Sequence, residues 1–587
     1  MKTTMLDNLK QHDREAILDA PTLAGLAGAT RRSRGDLDSP QTIPLRSAGS
    51  RRPLFLLHEG FGGLVAYDRL SGLLDRDIPI HGVEAKGLHE TEPVYLSVEA
   101  MAADYTRQIK AVQPRGPYRL AGWSVGGILA YEVANQLLGR DDSVEFIGLI
   151  DTYHMTTQPA HPEVVTPEQF LIRTLEYVAP TVSQAALQDL WHLGALDSMI
   201  ERCHRMGWLA SSITADVMRR RCQVANHLTA AAMTYFPPAL PLDVLLLTAE
   251  EPRRDDPTNG WAELLGQRLR VVPLPGTHLS IMRDDATATR ISGVLNQALL
   301  EAERPLAVTA PGSNSQAFTL QRGRAGRVPV LCVPGAGSSA ASFASLAQAF
   351  DPDTPIHGLQ PRGLDGIAVP HADVAVAARS YLGAIRDLVP RGPYRLLGHS
   401  FGGWIALEIA RQLRADGQRV DPVAVLDADP PTTTAAHPGL SRAEVLDQLI
   451  EVLEQAADQS LSLCGADLAQ LAEHLQLEKL RVAMVRAGLL SPRVGQQPLK
   501  GMLRVFAANV NTSYAPPGPF DGDVVLIQAS EDRNGPADIG ARAAAWARQA
   551  RHVHTLSAPG NHMSILRLPH VTVLAALIKN VWEASSQ

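Results

Sequence analysis

Cysteine is scarce in this chain: its 587 residues include only four cysteines. They are Cys203, Cys222, Cys332 and Cys464. Their spacing matches no metal-binding motif, and four cysteines are too few for a disulfide-stabilised fold of this length. A reduced, cytoplasmic protein is therefore predicted. His, Asp and Glu residues form no cluster typical of a metal site, so neither a metal nor another bound cofactor is expected.

Long apolar runs and an excess of one charge are also missing. No apolar segment is long enough to span a bilayer, and the first 18 residues lack the apolar core of a signal peptide. Acidic and basic residues are mixed along the chain, and the net charge is −7. This pattern gives no argument for binding nucleic acid or an anionic membrane. The 45% hydrophobic content is typical of a soluble protein, and the length allows more than one domain.

The chain does contain an internal repeat. PRGPYRLAGWSVGG at 114–127 returns as PRGPYRLLGHSFGG at 390–403, an offset of 276 (390 − 114). PGTHLSIMR at 275–283 returns as PGNHMSILR at 559–567, an offset of 284 (559 − 275). A repeat of this length predicts two domains of one architecture, with insertions between the matched segments.

The predicted domains are residues 42–302 and 318–587. Residues 303–317 are rich in Pro, Gly, Ser and Asn and are predicted to be a linker. Residues 1–41 are predicted to form a short helix and a linker. Within them, ILDAPTLAGLA at 17–27 looks like the last helix of a carrier domain, but no phosphopantetheine-bearing serine motif precedes it. This segment is interpreted as a carrier remnant or a plain capping helix.

Each copy alternates short β-branched apolar runs with helical patterns, which predicts an α/β fold: a mostly parallel, doubly wound sheet with helices on both faces. The strands predicted in the first copy are 54–58, 80–83, 118–122, 146–150, 244–248 and 271–274. Between the fourth and fifth strands lie long segments without strand character, at about 152–236 and 428–515. Both are predicted to form helical lids over the site.

The repeated G-x-S-x-G lies between a strand and a helix, as in a nucleophile elbow. A serine needs a base to take its proton and an acid to orient that base. In chain order Ser, Asp, His, the copies offer one candidate set each: Ser124, Asp151 and His278, and Ser400, Asp427 and His562. The serine-to-aspartate spacing is 27 in both copies (151 − 124; 427 − 400).

Three further points concern these candidate sites. Asp532, which follows the fifth strand of the second copy, is an alternative acid, and Glu251 is nearest to it in register in the first copy. His399 belongs to the strand before Ser400, so its side chain is expected to point away from the serine. Oxyanion donors are predicted at the residue after each serine and in the loop after each first strand. These donors are Val125, Phe401, Gly60 and Ala336.

GWSVGG, GHSFGG, the LID and VLD acids, the GTH and GNH histidines and the helical insertions resemble the thioesterase domains that end nonribosomal peptide and polyketide synthetases. The doubled arrangement is similar to tandem thioesterases of lipopeptide assembly lines. The resemblance implies that an acyl or peptidyl chain, carried on the phosphopantetheine arm of a carrier protein, passes to a serine and then to water or an internal nucleophile. It further implies product release by the first copy and editing hydrolysis by the second.

Condensation, adenylation and complete carrier domains are absent from this sequence. We therefore expect either action in trans on a separate carrier or a terminal fragment of a longer assembly line. Two alternatives remain. One is a general serine esterase or lipase, which would prefer simple esters. The other is a non-catalytic binding protein on the same fold, against which the two complete Ser-Asp-His sets argue.

Overall fold

The structure is a computed structural model that describes residues 42–88, 95, 97–154, 164–179, 181–251, 256–303, 316–431, 439–531 and 536–584. The chain divides into two compact units. Of the described residues, unit 1 contains those before residue 304 except 139–141, and unit 2 contains 139–141 and those from residue 316 onward. The carrier-like segment, the alternative acid Asp532 and most of the predicted linker lie outside the described residues.

Unit 1 is built on a sheet with the strand order β1-β3-β2-β4-β5-β6-β7. Its strands are β1 (Ile43–Arg46), β2 (Leu54–Leu57), β3 (Ile80–Val83), β4 (Tyr118–Trp123), β5 (Val144–Ile150), β6 (Val244–Glu251) and β7 (Leu269–Thr277). Strand β1 pairs antiparallel with β3, and all other neighbouring pairs are parallel. The helices are α1 (Asp68–Leu73), α2 (Val98–Val112), α3 (Val125–Gly139), α4 (Pro167–Val178), α5 (Gln184–Trp191), α6 (Leu196–Met206), α7 (Ala215–Thr234), α8 (Ala262–Leu265), α9 (Ser280–Arg283) and α10 (Asp285–Ala302).

Unit 2 repeats this architecture with the strand order β14-β13-β12-β11-β9-β10-β8. Its strands are β8 (Ala317–Gln321), β9 (Val330–Val333), β10 (Ile356–Leu359), β11 (Arg395–His399), β12 (Val423–Leu426), β13 (Phe520–Ala529) and β14 (Ala550–Ala558). Only β8 runs antiparallel to its neighbour. The helices are α11 (Ala344–Ala349), α12 (Val374–Leu388), α13 (Phe401–Ala415), α14 (Arg442–Ala457), α15 (Gly465–Ala469), α16 (Glu473–Arg486), α17 (Gln496–Val510), α18 (Pro536–Trp546) and α19 (His570–Ala584).

The central strands of both sheets are buried on both faces. Every residue of β2, β4, β9 and β12 is buried. Helices cover such strands, which explains their continuous apolar runs. The predicted α/β fold with mostly parallel sheets is thus confirmed. The antiparallel edge strands β1 and β8 were not predicted, because edge residues are only partly buried and carry little periodic signal.

Each predicted lid position holds a group of helices with an apolar core of its own. In unit 1, α4 to α7 pack around residues such as Phe170, Leu190 and Met199. In unit 2, α14, α16 and α17 pack around residues such as Leu449 and Leu477, and α15 packs on α14 and α16 through Leu468. The first described helix of each lid begins with a capping box, from Thr166 to Gln169 and from Ser441 to Glu444, which satisfies orphan N–H groups of that helix.

Among the described residues, no helix is both long and apolar enough to cross a membrane. The described part of the chain also contains no group of three or more His, Cys, Asp or Glu side chains that could hold a metal ion.

Candidate active site

Both candidate nucleophiles lie on strained turns between a strand and a helix. Ser124 has a φ of 58° and Ser400 a φ of 53°, which is uncommon for residues other than glycine. Each backbone N–H is fixed by a carbonyl of the neighbouring strand: Ser124 donates to Ile150 at 2.9 Å and Ser400 to Leu426 at 2.8 Å. Strain of this kind is stored at functional sites when the surrounding structure holds it in place.

The glycines on either side of each serine have no room for a side chain. A Cβ at Gly122 would lie 2.0 Å from the carbonyl carbon of Gly126, and a Cβ at Gly126 would lie 2.5 Å from the carbonyl oxygen of Leu57. In unit 2, a Cβ at Gly398 would lie 2.2 Å from the carbonyl oxygen of Gly402. The motif therefore needs glycine because strand and helix approach too closely for a Cβ.

The candidate residues of unit 1 form one continuous hydrogen-bonded line. His278 Nε2 lies 3.1 Å from Ser124 Oγ, and His278 Nδ1 lies 2.7 Å from Asp151 Oδ2. The buried Asp151 also accepts hydrogen bonds at Oδ1 from the Ala249 N–H (3.0 Å) and the Asn259 amide (3.3 Å). Since the carboxylate accepts the Nδ1 proton, Nε2 is left to accept the proton of the serine hydroxyl.

In unit 2 the aspartate and the histidine form the same hydrogen bond with each other. His562 Nδ1 lies 2.7 Å from Asp427 Oδ2, while Oδ1 accepts from the Ala529 N–H (3.1 Å) and the Arg542 guanidinium (3.2 Å). Burial alone would raise the pKa of the Asp427 carboxyl, but the hydrogen bond from His562 and the nearby Arg542 charge hold that pKa below its ordinary value. Of the described residues, none forms a hydrogen bond with the Ser400 hydroxyl.

The competing acids occupy different positions. Glu251 is exposed at the end of β6, whereas Asp151 is buried against His278. Asp532 lies outside the described residues. The observed contact of Asp427 with His562 supports Asp427 as the orienting acid of unit 2.

In each unit, one predicted oxyanion donor lies at the start of a helix and the other in a loop. Val125 and Phe401 are the first residues of α3 and α13, where a backbone N–H has no acceptor within its own helix. Gly60 follows β2 and Ala336 follows β9. No described atom would come within 4 Å of a Cβ at Gly60, so no contact with the described part of the chain requires glycine there.

The residue before each serine packs on the histidine, a role that the sequence did not indicate. In unit 1 the ring centroids of Trp123 and His278 lie 5.1 Å apart. In unit 2 the rings of His399 and His562 lie 4.7 Å apart. His399 Nε2 donates to the backbone carbonyl of His562 at 2.8 Å and makes no hydrogen bond with Ser400. Burial, reinforced by the neighbouring His562, lowers the pKa of His399 to about 3, so this ring is neutral.

This fold, with a strained serine between strand and helix and an aspartate–histidine pair beside it, is that of the α/β-hydrolases. The family model described as "Thioesterase domain" matches residues 52–297 and again residues 328–581. The chain belongs to the thioesterase domain family, and it carries the domain twice.

Similar proteins are nonribosomal peptide synthetases and their thioesterase domains. A dimodular nonribosomal peptide synthase of Bacillus subtilis is 36% identical over 23% of this chain and 6% of its own length. The nonribosomal peptide synthetase btyA of Aspergillus terreus is 27% identical over 48% of this chain and 32% of its own length. An inactive atromentin synthetase of Paxillus involutus is 26% identical over 41% of this chain and 26% of its own length. The chain thus spans less than a third of each of these relatives.

Solved structures that resemble this chain include the NocB thioesterase domain in covalent complex with a fluorophosphonate nocardicin G analogue. It is 25% identical, covers 43% of this chain and 96% of its own, and has a TM-score of 0.33. The Vlm2 thioesterase domain is 21% identical, covers 45% of this chain and 96% of its own, and has a TM-score of 0.35.

Proposed function

We propose that each unit is a serine thioesterase that accepts an acyl or peptidyl chain from the phosphopantetheine arm of a carrier protein in nonribosomal peptide or polyketide assembly. The observation that carries the proposal is the line from Ser124 through His278 to Asp151, with separations of 3.1 and 2.7 Å. This geometry suits proton transfer from a serine hydroxyl to an oriented imidazole.

The proposed chemistry has two half-reactions in unit 1. Ser124 Oγ attacks the thioester carbonyl while His278 Nε2 takes its proton, and the carbon–sulfur bond then breaks as the imidazolium protonates the departing thiolate. Water, or an amine or hydroxyl of the bound chain, then attacks the serine ester. His278 takes the proton of this nucleophile and returns it to Ser124 Oγ. The N–H groups of Gly60 and Val125 stabilise the oxyanion in both steps.

Unit 2 runs the same chemistry through Ser400, His562 and Asp427, with Ala336 and Phe401 as the oxyanion donors. Unlike Ser124, Ser400 has no hydrogen bond to its histidine in the structure, so this contact must form before proton transfer. Apo sites often tighten in this way when substrate binds. The proposed carrier acts either in trans or upstream in the same assembly line.

We further propose a division of labour, with unit 1 releasing the finished product and unit 2 hydrolysing stalled or incorrect chains. The two sites keep the acid–base pair but differ in the walls that control which nucleophile reaches the ester. The oxyanion loops read HEGFGG and PGAGSS, and the residue before the serine is Trp123 in unit 1 and His399 in unit 2.

The test uses the full-length chain and a carrier protein loaded with an acyl or peptidyl thioester, with mass spectrometry of the released products. Ser124→Ala should abolish timely release of the complete chain, whereas Ser400→Ala should leave release intact and let truncated chains accumulate on the carrier. Normal release by Ser124→Ala would contradict the division. Faster cleavage of simple p-nitrophenyl esters than of the carrier thioester would favour a general esterase.

A further inference from the structure

Three aromatic rings connect the lid of unit 1 to its candidate base. Tyr177, in the last turn of lid helix α4, stacks on Trp123 with ring centroids 5.6 Å apart and an interplanar angle of 26°. Trp123 in turn lies 5.1 Å from the ring of His278. Trp123 is only 2% exposed. The indole therefore fills the space between a lid side chain and the imidazole that faces Ser124.

In each unit an arginine at the matching position holds the end of the first lid helix. Arg283, five residues after His278, donates to the carbonyl of Glu176 in the last turn of α4 at 2.8 Å. In unit 2, Arg567 stands five residues after His562 and donates to the carbonyl of Ala456 at the end of α14. A cation at a helix C-terminus also interacts favourably with the helix dipole. Both units thus tie their first lid helix to the segment that carries the histidine.

The ring stack, in contrast, belongs to unit 1 alone among the described residues. Helix α14 contains no aromatic residue, and the residue before the serine in unit 2 is His399, whose ring bonds to the backbone of His562. The two units also differ in the hydrogen bond between the serine and the histidine. It is present at 3.1 Å in unit 1, whereas the Ser400 hydroxyl has no hydrogen bond with a described residue.

Hydrogen bonding does not explain the position of the indole. Trp123 Nε1 is buried and has no hydrogen-bond partner in the described structure. A buried donor without a partner is unfavourable. The ring is held instead by its packing between Tyr177 and His278.

We propose that Trp123 is a positioning residue, and that the Tyr177–Trp123 stack holds His278 in line with Ser124 when lid helix α4 is docked. The base of unit 1 is then aligned by its lid, whereas the base of unit 2 is aligned without a ring contact to its lid. This inference rests on the proposed role of Ser124 as a nucleophile.

The test follows the rate at which a fluorophosphonate probe labels each serine in the full-length chain, with Ser400 as an internal control. Tyr177→Leu and Trp123→His, which installs the residue of unit 2, should each slow the labelling of Ser124 by roughly threefold to tenfold, the equivalent of one ring–ring contact. Tyr177→Phe keeps the ring and should label at the wild-type rate. Trp191→Leu removes an exposed aromatic residue of lid helix α5 and should also leave the rate unchanged.

Turnover of a carrier thioester in the Ser400→Ala background separates positioning from substrate binding. Loss of the stack should lower kcat with little change in KM, because the base and not the acyl site is disturbed. The inference is overturned if Tyr177→Leu and Trp123→His label Ser124 at the wild-type rate, or if only KM changes. If wild-type Ser124 is not labelled at all, the proposed function itself fails. A variant that fails to fold is recognised by its melting curve, and the other stack variant then decides.

Discussion

Replacing Asp427 by asparagine tests which acid orients the base of unit 2. The Ala529 N–H and the Arg542 guanidinium both donate to Oδ1, so in Asp427→Asn the amide oxygen stays on their side. The amide NH₂ then faces His562 Nδ1, where the carboxylate oxygen lay at 2.7 Å. This NH₂ group donates to Nδ1, so the imidazole carries its proton on Nε2 and cannot accept one from Ser400.

The expected decrease in kcat follows from this change of tautomer. Loss of the tautomer-setting acid lowers kcat by about 10⁴, or about 5 kcal/mol of transition-state stabilisation. The assay is steady-state hydrolysis of a carrier thioester by the full-length chain in the Ser124→Ala background, which isolates unit 2. KM should change little, since Asp427 is buried behind the histidine.

The matched control is Asp532→Asn in the same background, which should keep activity within a few-fold of the parent. The equivalent change in unit 1, Asp151→Asn in the Ser400→Ala background, should also cost about 10⁴. If Asp532→Asn is the crippling change and Asp427→Asn is mild, the assignment of the acid is wrong.

Two further predictions concern stability. Gly398→Ala should destabilise unit 2 by at least about 1–3 kcal/mol in thermal melting, because its Cβ would lie 2.2 Å from the Gly402 carbonyl oxygen. Gly383→Ala, at an exposed position of α12 with open space around it, should be neutral or stabilising, and equal effects of the two changes would refute the steric argument. Burial raises the pKa of Glu59 to about 7, against hydrogen bonds from Phe61 and Gly63, so the folded state holds this proton more tightly than the unfolded state. As pH rises from about 4.5 to 7, the free energy of unfolding of unit 1 should fall by about 3 kcal/mol in the wild type because this proton is lost. The Glu59→Gln variant should not show this fall. Parallel pH–stability curves of the two proteins would contradict the prediction.

The sequence predicted the features that depend on local chain chemistry. The buried strands are continuous apolar runs, and each serine stands in a short G-x-S-x-G motif between a strand and a helix. Both kinds of signal lie within short windows. The helical character of the insertions at about 152–236 and 428–515 was also predicted, because segments within them have a helical apolar period.

Features that depend on contacts distant in sequence could not be predicted. The stack of Tyr177 on Trp123 joins residues from two elements whose packing no single window encodes. The same holds for Arg283, whose partner Glu176 lies 107 residues earlier in the chain. Helices α5 and α16 were not predicted individually, since their positions depend on packing within the lid. The repeat pattern likewise does not show that Ser124 but not Ser400 forms a hydrogen bond with its histidine.

Both units are proposed to carry an active nucleophile, and labelling with a serine-directed fluorophosphonate followed by peptide mapping tests this claim most directly. Wild type should be labelled at two sites, Ser124 and Ser400. Ser124→Ala and Ser400→Ala should each lose one site and keep the other, and the double variant should lose both. A single labelled serine in the folded wild-type chain, or labelling that persists in the double variant, would contradict the account.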